Sequence, residues 1–273
     1  MNKRSFASRA VAAPYYVWAS IFIIVPLLMV AYYAFTDKTG AFTFNNILSL
    51  GDYTETFLKS ILYAVIATII SLLLSYPLAY FMSKMKERSQ SFFMLLIMLP
   101  MWMNFLIRTY SWITILSNKG IINSIITSLG FEPLQLINTP GAVILGMVYN
   151  YIPYMVLPIY TVMSKIDKSL LEAASDLGCN SLNKLKKVIM PLSLPGVISG
   201  ITMVFVPSVS TFYISQKLGG GKSLLIGDVI EMQFQISYNY NLGAALSLVL
   251  MVLILISISV MNHFADDDGG MII

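Results

Sequence analysis

KIDKSLLEAASDLGCNSLNKLKKVIMP, residues 165 to 191, carries its own start and stop signals. Ser169 and Glu172 have the S-x-x-E spacing of a capping box, in which two side chains satisfy the free N–H groups at a helix start. Leu170, Leu171, Ala174 and Leu177 then share one face. Gly178 is placed to end that helix in the left-handed conformation. Asn180 or Ser181 can cap a second short helix with Leu182, Leu185, Val188 and Ile189 inward, and Pro191 suits the first turn of the next apolar helix. Lys184, Lys186 and Lys187 fringe the pair. The stretch therefore reads as two short capped helices, amphipathic and basic at the rim.

On both sides of it the chain is strongly apolar. Across the full length, 57% of residues are hydrophobic and 11% charged, against about 25% charged in soluble domains. About 20 apolar residues suffice to cross the hydrocarbon as helix, and such windows occur at roughly 14–35, 57–83, 91–116, 139–164, 191–214 and 242–263. The expected fold is an all-α membrane protein with six transmembrane helices, forming a single membrane domain over 1–273. The first window comes after Lys3, Arg4 and Arg9 as a secretory signal would, but its apolar run is longer than a signal core and lacks a small-residue cleavage site. It is expected to be retained as a span.

The rule that inner loops are enriched in Lys and Arg sets the orientation. With the N-terminus inside, the inner segments hold Lys3, Arg4, Arg9, Lys84, Lys86, Arg88, Lys165, Lys168, Lys184, Lys186 and Lys187. The outer segments hold Lys38, Lys59, Lys119, Lys217 and Lys222. Both termini are thus expected in the cytoplasm, and the helix pair at about 165–190 faces it. The formal net charge of +4 is a record of topology and gives no sign of nucleic-acid binding.

Lys217-Leu-Gly-Gly-Gly-Lys-Ser223 resembles half of a phosphate-binding loop, yet Gln216 stands where the first glycine belongs. It also falls in the outer loop at about 215–241, away from cytoplasmic ATP. Gly219 to Gly221 are read instead as a tight backbone path. The single Cys179 has no disulfide partner within the chain and lies on the reducing side, as a small apolar filler. His263, beside Asn262, has no neighbouring metal ligands and is read as an interfacial polar residue. The ending Ala265-Asp-Asp-Asp-Gly-Gly-Met-Ile-Ile273 is expected to be a disordered tail.

EAASDLG with VIMP downstream resembles the E-A-A-x-x-x-G-x(9)-I-x-L-P loop of permease subunits of bacterial ABC importers, matching at Glu172, Ala173, Ala174, Gly178 and Pro191. Val188 and Met190 stand where Ile and Leu are usual. Together with NFLIRTYSW, SKIDKSLLEAASDLG and LGGGKSLLIGDVIEMQF, the chain is similar over most of its length to permeases of spermidine/putrescine importers. The resemblance implies a type I importer permease (MetI-like) fold with cytoplasmic coupling helices in a bacterial inner membrane. It implies that the loop, with Glu172, Ala173, Ala174, Leu177 and Gly178, docks on a cytoplasmic ABC ATPase, present in two copies, which binds the ATP and Mg²⁺. A second homologous permease would complete the pore, and an extracytoplasmic polyamine-binding protein would deliver cargo. The chain itself would be non-catalytic, with no bound cofactor or metal.

None of the six windows contains Asp or Glu, which weighs against a proton-coupled carrier, and no Ser/His, Cys/His or paired-carboxylate set lies within them to suggest an intramembrane enzyme. A cationic cargo would need aromatic faces, which attract ammonium groups with ~0.5–2 kcal/mol each, or carbonyls freed at proline breaks. Asn150, Tyr154 and Thr161 share one face of span four beside Pro153 and Pro158; Ser208, Thr211 and Tyr213 come after Pro207 in span five. These are candidate path residues. Asp228 and Glu231, spaced i, i+3 in the outer loop, are candidates for attracting a polycation or meeting a docked binding protein. Arg108 is the one charge deep in a window, with Asn104 a turn away; an interface or anchoring role fits it, the guanidinium snorkelling outward or pairing with the partner permease.

Overall fold

The computed structural model describes residues 14–221 and 223–269, with backbone only for 262–269. Lys3, Arg4, Arg9 and Lys222, the side chains of Asn262 and His263, and residues 270–273 lie outside the described residues.

Helices dominate. Helix α1 spans Pro14–Ala34 and contains a π-helical turn at Ser20–Ile24; α2 spans Thr54–Ser83. Next come α3 (Glu87–Trp102), α4 (Phe105–Leu116), α5 (Ile121–Ser128), α6 (Pro140–Met163) and α7 (Lys168–Asp176). A long α8 (Ser181–Val209) passes through a π turn at Leu185–Ile189, and α9 (Tyr213–Gly219), α10 (Ile226–Gln235) and α11 (Tyr240–Gly269) complete the chain. Among the described residues five helices are long and apolar enough to cross a membrane, and a bent pair brings the number to six.

That bent pair corrects the third expected span. Residues 91–116 do not form one straight helix: Glu87–Trp102 and Phe105–Ser128 meet at 91°. The causes are local. Pro100 lacks the N–H that the last turn of α3 needs, Met103 is extended (ψ 147°), and Asn104 starts a new helix by accepting a 2.8 Å hydrogen bond from Leu106 N–H. Asn104 is therefore the N-cap of α4, one turn before Arg108, whose N–H donates to the Asn104 carbonyl at 3.2 Å. The fifth span begins earlier than expected, at Ser181, and also ends earlier, for a related reason. With Pro207 in its last turn, α8 stops at Val209, and Tyr213 belongs to the separate α9. At the far end α11 continues through the acidic run to Gly269, where a disordered tail was expected.

The chain divides into two compact units, one comprising Glu55–Asp228 with the residues from Ile254 on, the other the residues through Thr54 with Val229–Leu253. In the larger unit, α6 and α8 approach closely through small residues. A Cβ on Gly196 would lie 2.8 Å from the Pro158 carbonyl, and one on Gly200 2.7 Å from Met155 Sδ. Only glycine at these two positions, four apart, lets the backbones come so near, which is how helices associate when lipid supplies no hydrophobic drive. Ala79, Met155, Ile159, Met163, Ile189 and Val204 form the core beneath this crossing, and Tyr76 OH meets Ser193 Oγ at 3.0 Å. A second core gathers Met147, Val148, Ile214, Leu218 and Leu225. In the smaller unit, Asn241 Nδ2 donates to the carbonyls of Thr36 (2.7 Å) and Tyr33 (3.1 Å), beside a core of Ala34, Ala244 and Ala245.

Candidate functional site

The segment 165–191 folds into one separate short helix, α7, with a different start; the second expected short helix is the first turn of the long α8, which runs on through Pro191 without a break. Asp167, extended at ψ 132°, is the N-cap of α7, and its Oδ1 accepts from Ser169 N–H at 2.9 Å. Ser169 thus lies inside the first turn and cannot cap it; Asp167, two residues earlier, outcompetes it for the same free amides. Those hydrogen bonds, from the backbone and then the side chain of Ser169, hold the Asp167 carboxyl below its ordinary pKa. At the other end Gly178 has φ +79°, Gly178 N–H donates to the Ser175 carbonyl (2.8 Å) and Cys179 N–H to the Ala174 carbonyl (2.9 Å). This pair of bonds is a Schellman stop. Asn180 caps the next turn, accepting from Asn183 N–H at 2.8 Å.

The apolar stripe is narrower than the periodicity predicts. Leu171 and Ala174 turn inward, but Leu170 is 50% exposed, Leu177 85% and Leu182 58%. With exposed Glu172 and Ala173, the outward leucines give α7 an open, partly apolar face. Lys184 Nζ donates to Ser175 Oγ at 2.9 Å and joins α7 to the start of α8. Three residues separate α6 from the Asp167 cap, with Ser164 N–H still bonded to the Tyr160 carbonyl (2.8 Å), so little slack separates the loop from the α6 span. Cys179 is half-buried.

The candidate path residues separate into buried and open sets. Asn150 is 3% exposed; its Nδ2 donates to the Gly146 carbonyl (2.8 Å), while Oδ1 has no partner within the chain. Tyr154 and Thr161 are exposed on the same helix. Ser208 is fully buried and returns its hydroxyl to the Val204 carbonyl (2.7 Å), and Thr211 is also buried. Tyr213 is half-buried, and its ring centroid lies 5.8 Å from that of Phe105 and 6.5 Å from that of Tyr110. Lys217 Nζ stands 5.7 Å from the Tyr213 ring and 5.9 Å from the Tyr110 ring. Tyr151, whose OH donates to the Pro207 carbonyl at 3.4 Å, has its ring 6.4 Å from that of Tyr154. Phe105, Tyr110 and Tyr151 carry no signal in the sequence that marks them. They lie on α4 and α6, more than forty residues apart in number, and no local pattern joins them to Tyr213 on α9.

Arg108 is 9% exposed, with its guanidinium carbon 5.9 Å from the Phe105 ring centroid. It does not snorkel outward, because the bend before α4 carries it into the interior. Its Nε and Nη1 are buried without a hydrogen-bond partner within the chain. The outer-loop acids are corrected as well. Asp228 is 0% exposed, so it neither faces solvent nor offers itself to a polycation. Its Oδ2 accepts from Leu225 N–H (2.7 Å), the reach of the third residue of a helix back to the cap, and its Oδ1 accepts from Ser215 Oγ (2.9 Å). Beside it, Ile226 N–H donates to Ser60 Oγ at 2.7 Å. Asp228 thus fastens the start of α10 to α9. Glu231 is half-buried. Among the described residues no group of three or more His, Cys, Asp or Glu could hold a metal ion.

Comparison with known proteins agrees with this architecture. Residues 75–267 match the model of the family described as binding-protein-dependent transport system inner membrane component. The chain is 40% identical over 227 residues to the spermidine/putrescine transport system permease protein PotB of Escherichia coli (strain K12), covering 80% of this chain and 82% of that one. It is 38% identical over 230 residues to PotB of Haemophilus influenzae, covering 81% and 80%. Its fold is similar to a chain in the crystal structure of a bacterial ABC transporter involved in import of the acidic polysaccharide alginate, with a TM-score of 0.79, 17% identity, and coverage of 97% and 96%.

Proposed function

Because the chain belongs to the family of binding-protein-dependent transport system inner membrane components, we propose that it is the permease half of an ATP-driven importer whose cargo is a polyamine, spermidine or putrescine. The observation that carries the cargo is the 40% identity to spermidine/putrescine permeases over 80% of the chain. The chain is a non-catalytic multi-pass subunit of an inner membrane. ATP and Mg²⁺ reside on a cytoplasmic ATPase, in two copies, one of which receives α7. A second homologous permease closes the other side of the path, and an extracytoplasmic polyamine-binding protein delivers cargo. Both termini lie in the cytoplasm.

The mechanism rests on how the loop is built. Glu172, Ala173 and the outward Leu170 and Leu177 form the docking face, and small Ala173 lets a partner surface approach closely. Because α7 is tied to α6 by four residues, displacement of the docking face by nucleotide-driven closure moves α6, and through the Gly196–Gly200 crossing α8 moves with it. Along the path, the exposed face of Tyr154 offers an ammonium group an electrostatic seat of ~0.5–2 kcal/mol without a fixed negative charge, so cargo binds weakly enough to leave, whereas the Tyr110 and Tyr213 rings already face Lys217 Nζ. Arg108, enclosed within the chain at 9% exposure, serves as an internal anchor.

Uptake of labelled spermidine and putrescine into vesicles holding the whole assembly tests this, against the same assembly lacking this chain. ATP-dependent accumulation that requires the chain is expected. ATP-dependent transport of a different solute, with no polyamine uptake, overturns the cargo and leaves the permease role intact.

A further inference from the structure

On the inner side of the larger unit, where α2 ends and α3 begins, a cavity of about 610 Å³ opens between these helices, the end of α6 and the inward face of α7. Its rim carries Lys84, Lys86 and Lys168 against one acid, Glu87. A smaller adjoining pocket shares Tyr80, Lys84, Leu171 and Ile189 with it and adds Lys184. The floor is polar but internally satisfied: Gln90 Nε2 donates to the carbonyls of Met85 (2.9 Å) and Ser83 (3.3 Å), and its Oε1 accepts from Tyr160 OH (2.8 Å). Lys84 is already oriented, donating to the Tyr80 hydroxyl with Nζ 4.1 Å from that ring's centroid. Met163, Ile166, Leu171 and Ile189 supply apolar wall.

We propose that this cavity binds the phosphate of an anionic phospholipid from the inner leaflet. Three ammonium groups around a neutral floor select an anion, and a phosphate diester accepts from all of them. The apolar wall suits a glycerol backbone and the first carbons of acyl chains, which a free phosphate ion lacks. The position also fits, since a basic pocket between helices at the inner interface lies at the depth of lipid headgroups. Lys168 and Leu171 face the cavity from α7, Leu170, Ala173 and Leu177 are exposed on its far side, and Glu172 stands at the boundary one turn from Lys168, so lipid and ATPase meet largely different faces of one short helix. Occupancy would brace the coupling helix from behind.

The test uses the full assembly in discs of phosphatidylcholine doped with phosphatidylglycerol, with the phosphatidylglycerol retained after transfer to detergent counted by mass spectrometry. Each of Lys84→Gln, Lys86→Gln and Lys168→Gln is expected to lower retention about fivefold. The matching Lys→Arg variants keep it, and Lys165→Gln, an inner lysine that does not line the cavity, leaves it unchanged. Equal loss with Lys165→Gln, or no loss with the three cavity variants, shows only a generally basic surface and overturns the proposal. Complete displacement of the lipid by inorganic phosphate or glycerol phosphate assigns the site to a soluble anion and overturns the lipid source.

Discussion

Single residues here owe their roles to surroundings that differ sharply over short distances. Asp228 and Glu231 look equivalent as a spaced pair, but the first is enclosed and holds two donors. Removing the carboxylate leaves Leu225 N–H buried without its acceptor, at about 1–3 kcal/mol, while Ser215 Oγ keeps the Phe212 carbonyl at 2.8 Å. Asp228→Ala is therefore expected to lower the thermal midpoint and yield of the assembly, while any protein that does fold shows an ordinary apparent KM for polyamine. A raised KM with unchanged stability would return Asp228 to the surface role. Gly178 is the second such position. At φ +79° a side chain is strained by about 1–2 kcal/mol, and an Asp there also places a charge next to the docking face. Gly178→Asp, like Glu172→Lys, is expected to leave ATP hydrolysis running while uptake falls at least tenfold, measured together in one vesicle preparation.

At the scale of elements, α7 is short and keeps its start through one carboxylate. The Asp167 carboxyl has its pKa lowered by the Ser169 hydrogen bonds. A group whose folded pKa is depressed stabilises fully above its ordinary value of about 3.9, and that contribution is lost as pH falls through the lowered folded value. Amide exchange over α7, corrected for intrinsic rates, is expected to rise on acidification below the ordinary carboxylate range, and Asp167→Asn should remove that step. The α6–α8 crossing is the other element-level contact, and it has no give: at Gly200 the nearest neighbours include the Met155 backbone as well as its sulfur. Gly200→Leu is expected to cost about 1–3 kcal/mol by overpacking, read as a lower thermal midpoint in detergent, with Gly200→Ala intermediate. The Asn180 cap and the left-handed Gly178 stop rest on chemistry within a few residues along the chain and so are open to reading there, whereas the start at Asp167, two residues before the expected Ser169, shows that neighbouring oxygens compete to cap one helix. The exposure of Leu170 and Leu177 is not open to such reading, because periodicity reports which residues share a face and not whether a partner covers it.

For the molecule as a whole, the aromatic side chains near the proposed path form two groups, Phe105, Tyr110 and Tyr213 from α4 and α9, and Tyr151 with Tyr154 on α6. Tyr154→Leu is expected to raise the apparent KM for spermidine about two- to tenfold with the maximal ATPase rate unchanged, because one ammonium seat is lost while segment 165–191 is untouched. Equal uptake kinetics in this variant would remove Tyr154 from the path. The apolar stretches, and the left-handed Gly178 and Asn180 cap that set the turn after α7, stem from composition and from contacts a turn or less apart, and these could be read directly. The right angle before Phe105, the burial of Arg108 and Asp228, the close crossing at Gly196 and Gly200, and the meeting of Phe105, Tyr110 and Tyr213 could not. Each depends on which distant segment packs alongside, and burial and partnership are properties of that packing, whereas hydrophobic period and capping chemistry are properties of the chain next to itself.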